Sequence, residues 1–270
     1  MRNDTAVMEG VLRSATMHQE WQENFLSGEN ESFYNRVFDD FFQSLRIAPG
    51  TKFLDAGCGP SHKSVLLAQR GCEVDAVDFS EFILRQAEKY IRDKQLTERI
   101  HLQRDNLLAL SYPDGHFSHV LCWGVLLHVP QVEKAIAELA RVVKPGGYLI
   151  VTENNMRSLQ LVVQRRLRRF FSKNVVRFER KPSGLESWRE TDVGPVLARQ
   201  TDMRWFIQAF EAQDLRLCQH KACQFSEIYT SLRSPFLKKL VHGFNDFWFQ
   251  HIKNPGWALG NLFIFQKNNH

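Results

Sequence analysis

The chain has 270 residues, 43% of them hydrophobic, and a formal net charge of +5. That length suffices for one large α/β domain with additions, and no apolar run approaches the roughly 18 residues of a membrane-spanning helix. The polar segment 1–20 lacks the apolar core of a signal peptide, so a cytoplasmic location is expected. The mild positive charge leaves open an acidic substrate, a nucleic acid or peripheral contact with an anionic membrane.

Strands and helices are predicted to alternate through the first 155 residues. Apolar residues repeat at helical spacing over 33–46, and Phe53 and Leu54 end a buried strand. A helix over 64–69 follows a glycine loop, and later helices begin near Ser80 and Pro130. Further strands are predicted over 73–78, 100–105, 119–125 and 148–152, with a turn over 144–147. This alternation is typical of a doubly wound parallel sheet, which binds ligands at the carboxyl ends of its strands.

The second half of the chain interrupts this pattern over residues 153–200. A helix capped by Thr201 or Asp202 follows, and 215–229 is predicted to contain a strand. Another helix starts at Ser234-Pro235, and a buried strand lies within 257–267. The apolar side of that helix consists of Leu237, Leu240, Val241, Phe244 and Trp248.

The glycine loop, residues 51–61, is the most informative segment for function. Asp55 places a carboxylate at a strand tip, and Gly57 and Gly59 let the backbone turn tightly beside a ligand. The third glycine of the dinucleotide fingerprint is missing, and a carboxylate here would repel a pyrophosphate. A cationic nucleoside would tolerate it. With its Asp-x-Gly-x-Gly form, the loop resembles the first motif of the class I S-adenosylmethionine-dependent methyltransferases.

This resemblance covers residues 50–155 well and implies a complete architecture. It implies an α/β fold with a doubly wound, mostly parallel seven-stranded sheet, helices on both faces and an antiparallel hairpin at the end. It divides the chain into an N-terminal helical cover (1–48), a cofactor-binding core (49–154), a helical lid and substrate insertion after the fifth strand (155–200), and a C-terminal completion of the sheet (201–270).

The resemblance also assigns roles to strand-end residues. Asp78 lies roughly twenty residues beyond the loop, where an acid binds ribose hydroxyls. Asp105 would receive the adenine amine beside Asn106. Cys122 and Trp123 would border the methionine half of the cofactor. The full predicted set that binds S-adenosylmethionine, and its product S-adenosylhomocysteine, is Asp55, Gly57, Cys58, Gly59, Asp78, Phe79, Asp105, Asn106, Cys122 and Trp123.

His128 is the one candidate catalytic residue. It could serve as general base on a substrate hydroxyl, because histidine titrates near neutral pH. The alternative, which the sequence favours, is a helix-start histidine that hydrogen-bonds to backbone. A methyl donor that is already electrophilic needs mainly alignment of the acceptor, so a recognisable base is helpful rather than essential.

The insertion, residues 155–200, is expected to determine substrate specificity. Nine basic residues and one acidic residue, Glu179, lie between Arg157 and Lys181. A basic amphipathic helix there could contact a membrane surface or an acidic ligand, or form a cap with a solvated face. Trp188, Arg189 and Glu190 are possible pocket residues by position.

Metal is not expected at the cluster Cys218, His220 and Cys223. Their alternation along a strand explains their spacing, and no second ligand cluster completes a site.

Taken with the resemblance, the sequence predicts a methyltransferase that methylates an oxygen atom of a small molecule such as a sugar, a lipid-linked intermediate or a secondary metabolite. An RNA methyltransferase that uses the arginine-rich insertion, an oxidoreductase, and a non-catalytic nucleotide-binding module are the alternatives. No RNA-binding module is recognisable, so nucleic acid is disfavoured.

Overall fold

A seven-stranded, mostly parallel sheet organises the computed structural model, which describes residues 28–171, 178–191 and 194–269. The strand order is β3-β2-β1-β4-β5-β10-β9, and β10 runs antiparallel to both of its neighbours. From β1 the chain first adds β2 and β3 on one side and then returns to add β4 and β5 on the other side. The carboxyl ends of the parallel neighbours β1 and β4 therefore lie at the topological switch point of the sheet. The predicted α/β sheet with its antiparallel closing hairpin is confirmed.

The elements of the first half follow the sequence pattern closely. They are α1 (Gly28–Leu45), β1 (Lys52–Ala56), α2 (His62–Gln69), β2 (Glu73–Asp78), α3 (Glu81–Asp93), β3 (Ile100–Arg104), β4 (Phe117–Trp123), a 3-10 turn (Leu126–His128), α4 (Val132–Val142) and β5 (Val143–Asn154). The Ser80 hydroxyl caps α3 by accepting from the Ile83 amide. The predicted turn over 144–147 is present as an irregularity inside β5. Val143 pairs with Phe117 and Tyr148 pairs with His119, so the pairing with β4 skips 144–147, where Gly146 has φ 74°.

The second half adds an insertion and closes the sheet. Its elements are α5 (Leu159–Phe171), β6 (Phe178–Lys181), β7 (Gly184–Thr191), β8 (Gly194–Thr201), α6 (Met203–Glu211), β9 (Leu215–Ala222), a 3-10 turn (Ile228–Ser231), α7 (Pro235–Phe247), a π turn (Trp248–Ile252) and β10 (Gly260–Lys267). Asp202 and Ser234 cap α6 and α7 through their side chains.

Buried apolar side chains cover both faces of the sheet. Phe38 and Phe41 of α1 pack on one face with α2 and α3, while α4 and α6 pack on the other. α1 therefore lies over the sheet as the sequence predicts. The rest of the proposed N-terminal cover, residues 1–27, falls outside the described residues.

The insertion is only partly helical, which corrects the prediction of a helical lid. After α5, the strands β6, β7 and β8 form a separate antiparallel sheet. The sequence hides these strands because basic and polar residues interrupt the alternation of 178–201. Arg199 and Glu186, which are buried in this sheet, look like surface residues in the sequence.

α7 turns its polar side inward. His242 and Asn245 are buried, whereas Phe236 is 68% and Leu240 55% exposed. Asn245 exchanges two hydrogen bonds with the backbone of Ser226, at 3.0 and 2.9 Å. Because these bonds fix the rotation of the helix, its apolar side faces away from the protein core.

A candidate cofactor and acceptor cavity

A cavity of about 600 Å³ opens at the carboxyl ends of β1, β2, β4 and β5. Its size is within the range of small-molecule sites. Ten of the eleven residues predicted for the site line it: Asp55, Gly57, Cys58, Gly59, Asp78, Phe79, Asp105, Asn106, Trp123 and His128. Cys122 does not line it. Its side chain is fully buried in the core around α4, because successive strand residues point to opposite faces.

The glycine loop forms the floor of the cavity. Gly57 has φ 78°, and a Cβ there would lie 2.6 Å from Cγ2 of Val125. Gly59 has φ 52°, and a Cβ there would meet nothing within 4 Å. The first glycine thus permits close packing of the loop against the Val125 side chain, and the second faces open space in the cavity.

Asp55 is an almost fully buried acid at the tip of β1, with 1% of its surface exposed. Its Oδ2 accepts a hydrogen bond of 2.6 Å from the Ser64 hydroxyl on α2. Burial raises the pKa of Asp55 to about 6, and the nearby Lys63 opposes that shift. Asp55 therefore adds negative charge to the floor near neutral pH.

Asp78 ends β2 and holds two backbone segments with its carboxylate. Oδ2 accepts from the Gly59 amide at 3.1 Å, and Oδ1 accepts from the Ser80 amide at 2.9 Å. Burial raises its pKa. Each oxygen keeps a second lone pair, so the side chain can still accept bonds from a ligand in the cavity.

Asp105 shapes the loop that walls the cavity beyond β3. Its Oδ1 accepts from the Asn106 amide at 2.7 Å, and its Oδ2 accepts from the amide and hydroxyl of Ser111 at 3.0 and 2.9 Å. The Asp105 amide in turn donates to the Asp78 carbonyl. These bonds join the ends of β2 and β3 into one wall.

His128 contacts the inserted sheet. Its Nδ1 lies 2.7 Å from the Leu197 carbonyl oxygen. A carbonyl only accepts, so Nδ1 carries the proton and Nε2 of the neutral ring remains an acceptor. Burial lowers the pKa of His128, which keeps the ring neutral at physiological pH.

Arg199 of the inserted sheet binds the backbone of the turn that carries His128. The guanidinium donates to the carbonyls of Leu126 and Val129, at 2.7 and 2.9 Å, and to Glu186. The His128 turn and the inserted sheet are therefore joined by three hydrogen bonds, one from His128 and two from Arg199.

A lysine in an aromatic setting is a further feature of the cavity. Lys63 Nζ lies 3.0 Å from the centroid of the Tyr34 ring and 5.3 Å from that of Trp123. Burial lowers its pKa to about 7. Among the described residues it forms no ion pair, so its charge is available to an anionic group of a ligand.

Comparison with known proteins finds one kind of domain. The family model described as "Methyltransferase domain" matches residues 54–151, which run from within β1 to within β5 and include most of the cavity floor. Residues 54–151 are therefore similar to a methyltransferase domain, in agreement with the resemblance of the glycine loop.

Individual relatives are matched over part of their length. The chain is 31% identical over 141 residues to a demethylmenaquinone methyltransferase of Lysinibacillus sphaericus, covering 51% of this chain and 58% of that protein. It is 35% identical over 120 residues to a ubiquinone biosynthesis O-methyltransferase of Methylococcus capsulatus, covering 44% and 50%. The chain thus spans about half the length of these relatives.

Solved structures match nearly the whole chain. Magnesium protoporphyrin IX methyltransferase from Synechocystis, with S-adenosylhomocysteine bound, has a TM-score of 0.63 and 15% identity, covering 94% of this chain and 95% of that one. At that identity, the likeness extends to the fold.

The cavity of this methyltransferase domain fits the family's cofactor, S-adenosylmethionine. Gly59 leaves open space where a side chain would intrude, and Asp55 and Asp78 supply negative charge beside it. A sulfonium nucleoside tolerates that charge, whereas a pyrophosphate would be repelled.

Several cavity residues escaped the sequence analysis. Glu227, Gln224 and Cys223 come from the loop after β9, and Glu153 from the end of β5. Of these residues only Glu153 could have been predicted from the sequence, since it directly follows a predicted strand and so lies at a strand end. Its Oε1 accepts from the Asn154 amide, while its Oε2 is buried without a partner among the described residues.

Other candidate residues lie apart from the cavity. No group of His, Cys, Asp and Glu that could hold a metal is present in the described part of the chain. Cys218 is exposed, and Nε2 of His220 lies 2.6 Å from the Asn261 amide oxygen. Trp188 is exposed and does not line the cavity, and the side chains of Arg189 and Glu190 fall outside the described residues.

Proposed function

We propose that this chain transfers the methyl group of S-adenosylmethionine to an oxygen atom of a small molecule. The observation that carries the proposal is the single cavity that brings the glycine loop and three strand-end acids together. When bound, the cofactor supplies an electrophilic methyl group. The name of the relative from Methylococcus capsulatus, an O-methyltransferase, supports oxygen as the acceptor atom.

The residues that would hold the cofactor follow from their positions in the cavity. Asp78 would accept from the ribose hydroxyls, and Asp105 and Asn106 would border the adenine. Lys63 would pair with the carboxylate of the methionine part. It is a buried lysine without an ion pair among the described residues, and a carboxylate beside it would favour its charged form. Trp123 and Tyr34, whose ring centroids are 5.7 Å apart, would confine the reacting region.

Glu227 is proposed to take the proton from the acceptor. It lines the cavity, and no hydrogen bond to its carboxylate is found among the described residues. Burial raises its pKa to about 7, which matches the working range of a general base at neutral pH. His128 remains a second candidate through Nε2, but its bond to Leu197 suits a residue that positions the turn.

A binding and labelling experiment tests the function. S-adenosylhomocysteine at 100 times its dissociation constant should add about 2.7 kcal/mol to the stability of the protein, and NAD should add nothing. Labelled methyl groups should then move from S-adenosylmethionine into a nuclease-treated metabolite extract. Stabilisation by NAD alone would reject the proposal. Label that enters only RNA, with steep salt dependence, would favour the RNA alternative.

Asp78→Asn is expected to weaken S-adenosylhomocysteine binding by about 1–3 kcal/mol, because an acceptor for the ribose hydroxyls is lost. Calorimetry measures the change. Glu73→Gln, on the same strand but exposed and outside the cavity, should bind as the unchanged protein does. Equal affinities for Asp78→Asn and the control would remove Asp78 from the ribose site.

Gly57→Ala is expected to lower S-adenosylhomocysteine affinity by about 2 kcal/mol, because its Cβ would displace Val125 from the cavity wall. Gly50→Ala is the matched control. Gly50 also has a left-handed φ, 81°, but has open space around it, so its substitution tests backbone strain alone. Both variants should melt earlier, and only Gly57→Ala should bind more weakly. Equal affinity in the two variants would contradict the packing argument.

A further inference from the structure

The exposed apolar side chains of this protein are concentrated in one region. Every large apolar side chain that the structure describes as exposed, except Trp188, lies in segment 159–167 or segment 228–257. We call these side chains the apolar surface: Leu159, Val163 and Leu167 of α5, Ile228, Phe236, Leu237, Leu240, Phe244 and Phe247 on and before α7, and Ile252 and Trp257 after it. Apolar exposure on this scale marks an interaction site.

A single loop holds the two helices of this surface together. The Gln160 side-chain oxygen accepts from the Ser226 hydroxyl at 2.7 Å and from the Glu227 amide at 2.9 Å. The backbone of Ser226 in turn binds Asn245 of α7. Ser226 therefore bridges α5 and α7, so the two helices that carry most of the exposed apolar side chains are held by the same loop.

Positive charge borders the apolar surface. Segments 155–171 and 228–257 together contain nine lysine and arginine residues and one acidic residue, Asp246. Asp246 is neutralised by Arg36. Arg166, Arg233, Lys238 and Lys239 form no ion pair with any residue that the structure describes. Apolar side chains flanked by unpaired cations complement a bilayer with anionic headgroups.

The geometry points to an anionic lipid bilayer as the partner of this surface. We propose that the apolar surface inserts between the headgroups while the bordering cations contact anionic lipids. Phe236, Leu240, Phe244 and Phe247 lie at positions i, i+4, i+8 and i+11 of one helical face, so α7 can lie flat in the interface. No helix in the described part of the chain is long and apolar enough to span a membrane.

The same loop connects this surface to the cavity. Cys223, Gln224 and Glu227 line the cavity, while Phe225 between them packs against Phe244 and Trp248. Docking would therefore place the cavity wall next to the bilayer. A lipid-soluble acceptor could then pass from the bilayer into the cavity along this loop. This part of the inference rests on the proposed function.

Vesicle flotation of the full chain tests the proposal without cofactor or acceptor. The protein should float with vesicles of phosphatidylcholine and phosphatidylglycerol, and far less with phosphatidylcholine alone. A variant with Phe236→Ser and Leu240→Ser should bind about tenfold more weakly or worse, because two inserted apolar side chains are lost. Trp188→Ser, the exposed apolar residue outside the surface, should bind like the unchanged protein.

A charge variant and a binding control complete the test. The double variant Arg233→Glu and Lys239→Glu should float less with the anionic vesicles and should keep the melting temperature of the unchanged protein. It therefore tests the proposal even if the serine variant fails to fold. Both variants should bind S-adenosylhomocysteine normally, which separates this proposal from the proposed function.

Three results would overturn the proposal. The first is failure of the unchanged protein to float with anionic vesicles. The second is unchanged flotation of both variants, as expected if another segment such as 1–27 covers the surface. The third is a dimer in sedimentation that the serine variant converts to a monomer, with no vesicle binding by either form, which would assign the surface to a second copy of the chain.

Discussion

Glu227→Gln is expected to lower kcat by roughly two to four powers of ten while S-adenosylhomocysteine affinity stays unchanged. The substitution keeps the shape of the side chain and removes its ability to accept a proton. The acceptor identified by the labelling experiment serves as substrate. Glu211→Gln, at an exposed position at the end of α6, is the matched control and should be fully active.

The pH profile gives this prediction a second observable. Burial raises the pKa of Glu227 to about 7, so the base form fills as pH rises through that value. The activity of the unchanged protein should rise between about pH 6 and 8. Residual activity of Glu227→Gln should lack that rise. A large loss of kcat with the rise intact would assign the proton transfer to another group, with His128 as the next candidate.

Stability should follow the opposite trend with pH. A buried acid with a raised pKa favours folding when it is protonated, and this contribution is lost as pH rises through about 7. Glu227→Gln should therefore melt at a higher temperature than the unchanged protein at pH 8. The difference should shrink as pH falls and vanish below about 4.5, the ordinary pKa of glutamate. A stability difference that is independent of pH would show that Glu227 does not titrate as a buried group.

Local patterns were enough to predict the core of the fold and the floor of the cavity. Strand periodicity placed Asp55 and Asp78 at strand ends, and the winding of a parallel sheet brings such ends together. The position of these residues therefore depends on where the strands end, and local sequence patterns indicate those ends. The predicted role of each residue toward the cofactor remains a proposal.

Contacts between distant segments explain what the sequence did not predict. Glu227 reaches the cavity because Gln160 and Asn245 hold its loop from two helices. Cys122 points away because one step along a strand reverses the side chain. α7 was predicted from its apolar periodicity, but its buried side is chosen by Asn245. No local pattern shows that a polar residue of an amphipathic helix has a partner 19 residues away.

The buried side chain of Arg199 is the clearest example of such a distant contact. It pairs with Glu186 on the neighbouring strand of the inserted sheet, and its bonds to the Leu126 and Val129 carbonyls join that sheet to the turn that carries His128. Arg199 is 2% and Glu186 3% exposed. The guanidinium donates to Glu186 Oε1 at 3.0 and 2.7 Å and to two carbonyls of 126–129. Lys181 contacts the other carboxylate oxygen at 2.8 Å.

Arg199→Met is expected to destabilise the protein by about 3–5 kcal/mol, because Glu186 stays buried with one partner fewer. For a chain of this length each kcal/mol lowers the melting temperature by about 2–4 °C. Arg199→Lys should recover little, since an ammonium cannot bridge a carboxylate and two carbonyls with the geometry of a guanidinium. Arg216→Met, which removes an exposed hydrogen bond to Gln266, is the control and should change stability by less than about 0.5 kcal/mol.

A double variant separates the ion pair from mere packing. Glu186→Leu together with Arg199→Met removes both charges, so no unpaired carboxylate is left in the sheet. Its loss of stability should be smaller than that of Arg199→Met plus that of Glu186→Leu, by about 0.5–3 kcal/mol, the range for residues in direct contact. It should not return to the stability of the unchanged protein, because the Leu126 and Val129 carbonyls lose their donor in both cases. Thermal melts of the four proteins decide the matter. Strictly additive losses would mean that the two charges do not stabilise each other, and that the inserted sheet is held on the His128 turn by the backbone bonds alone.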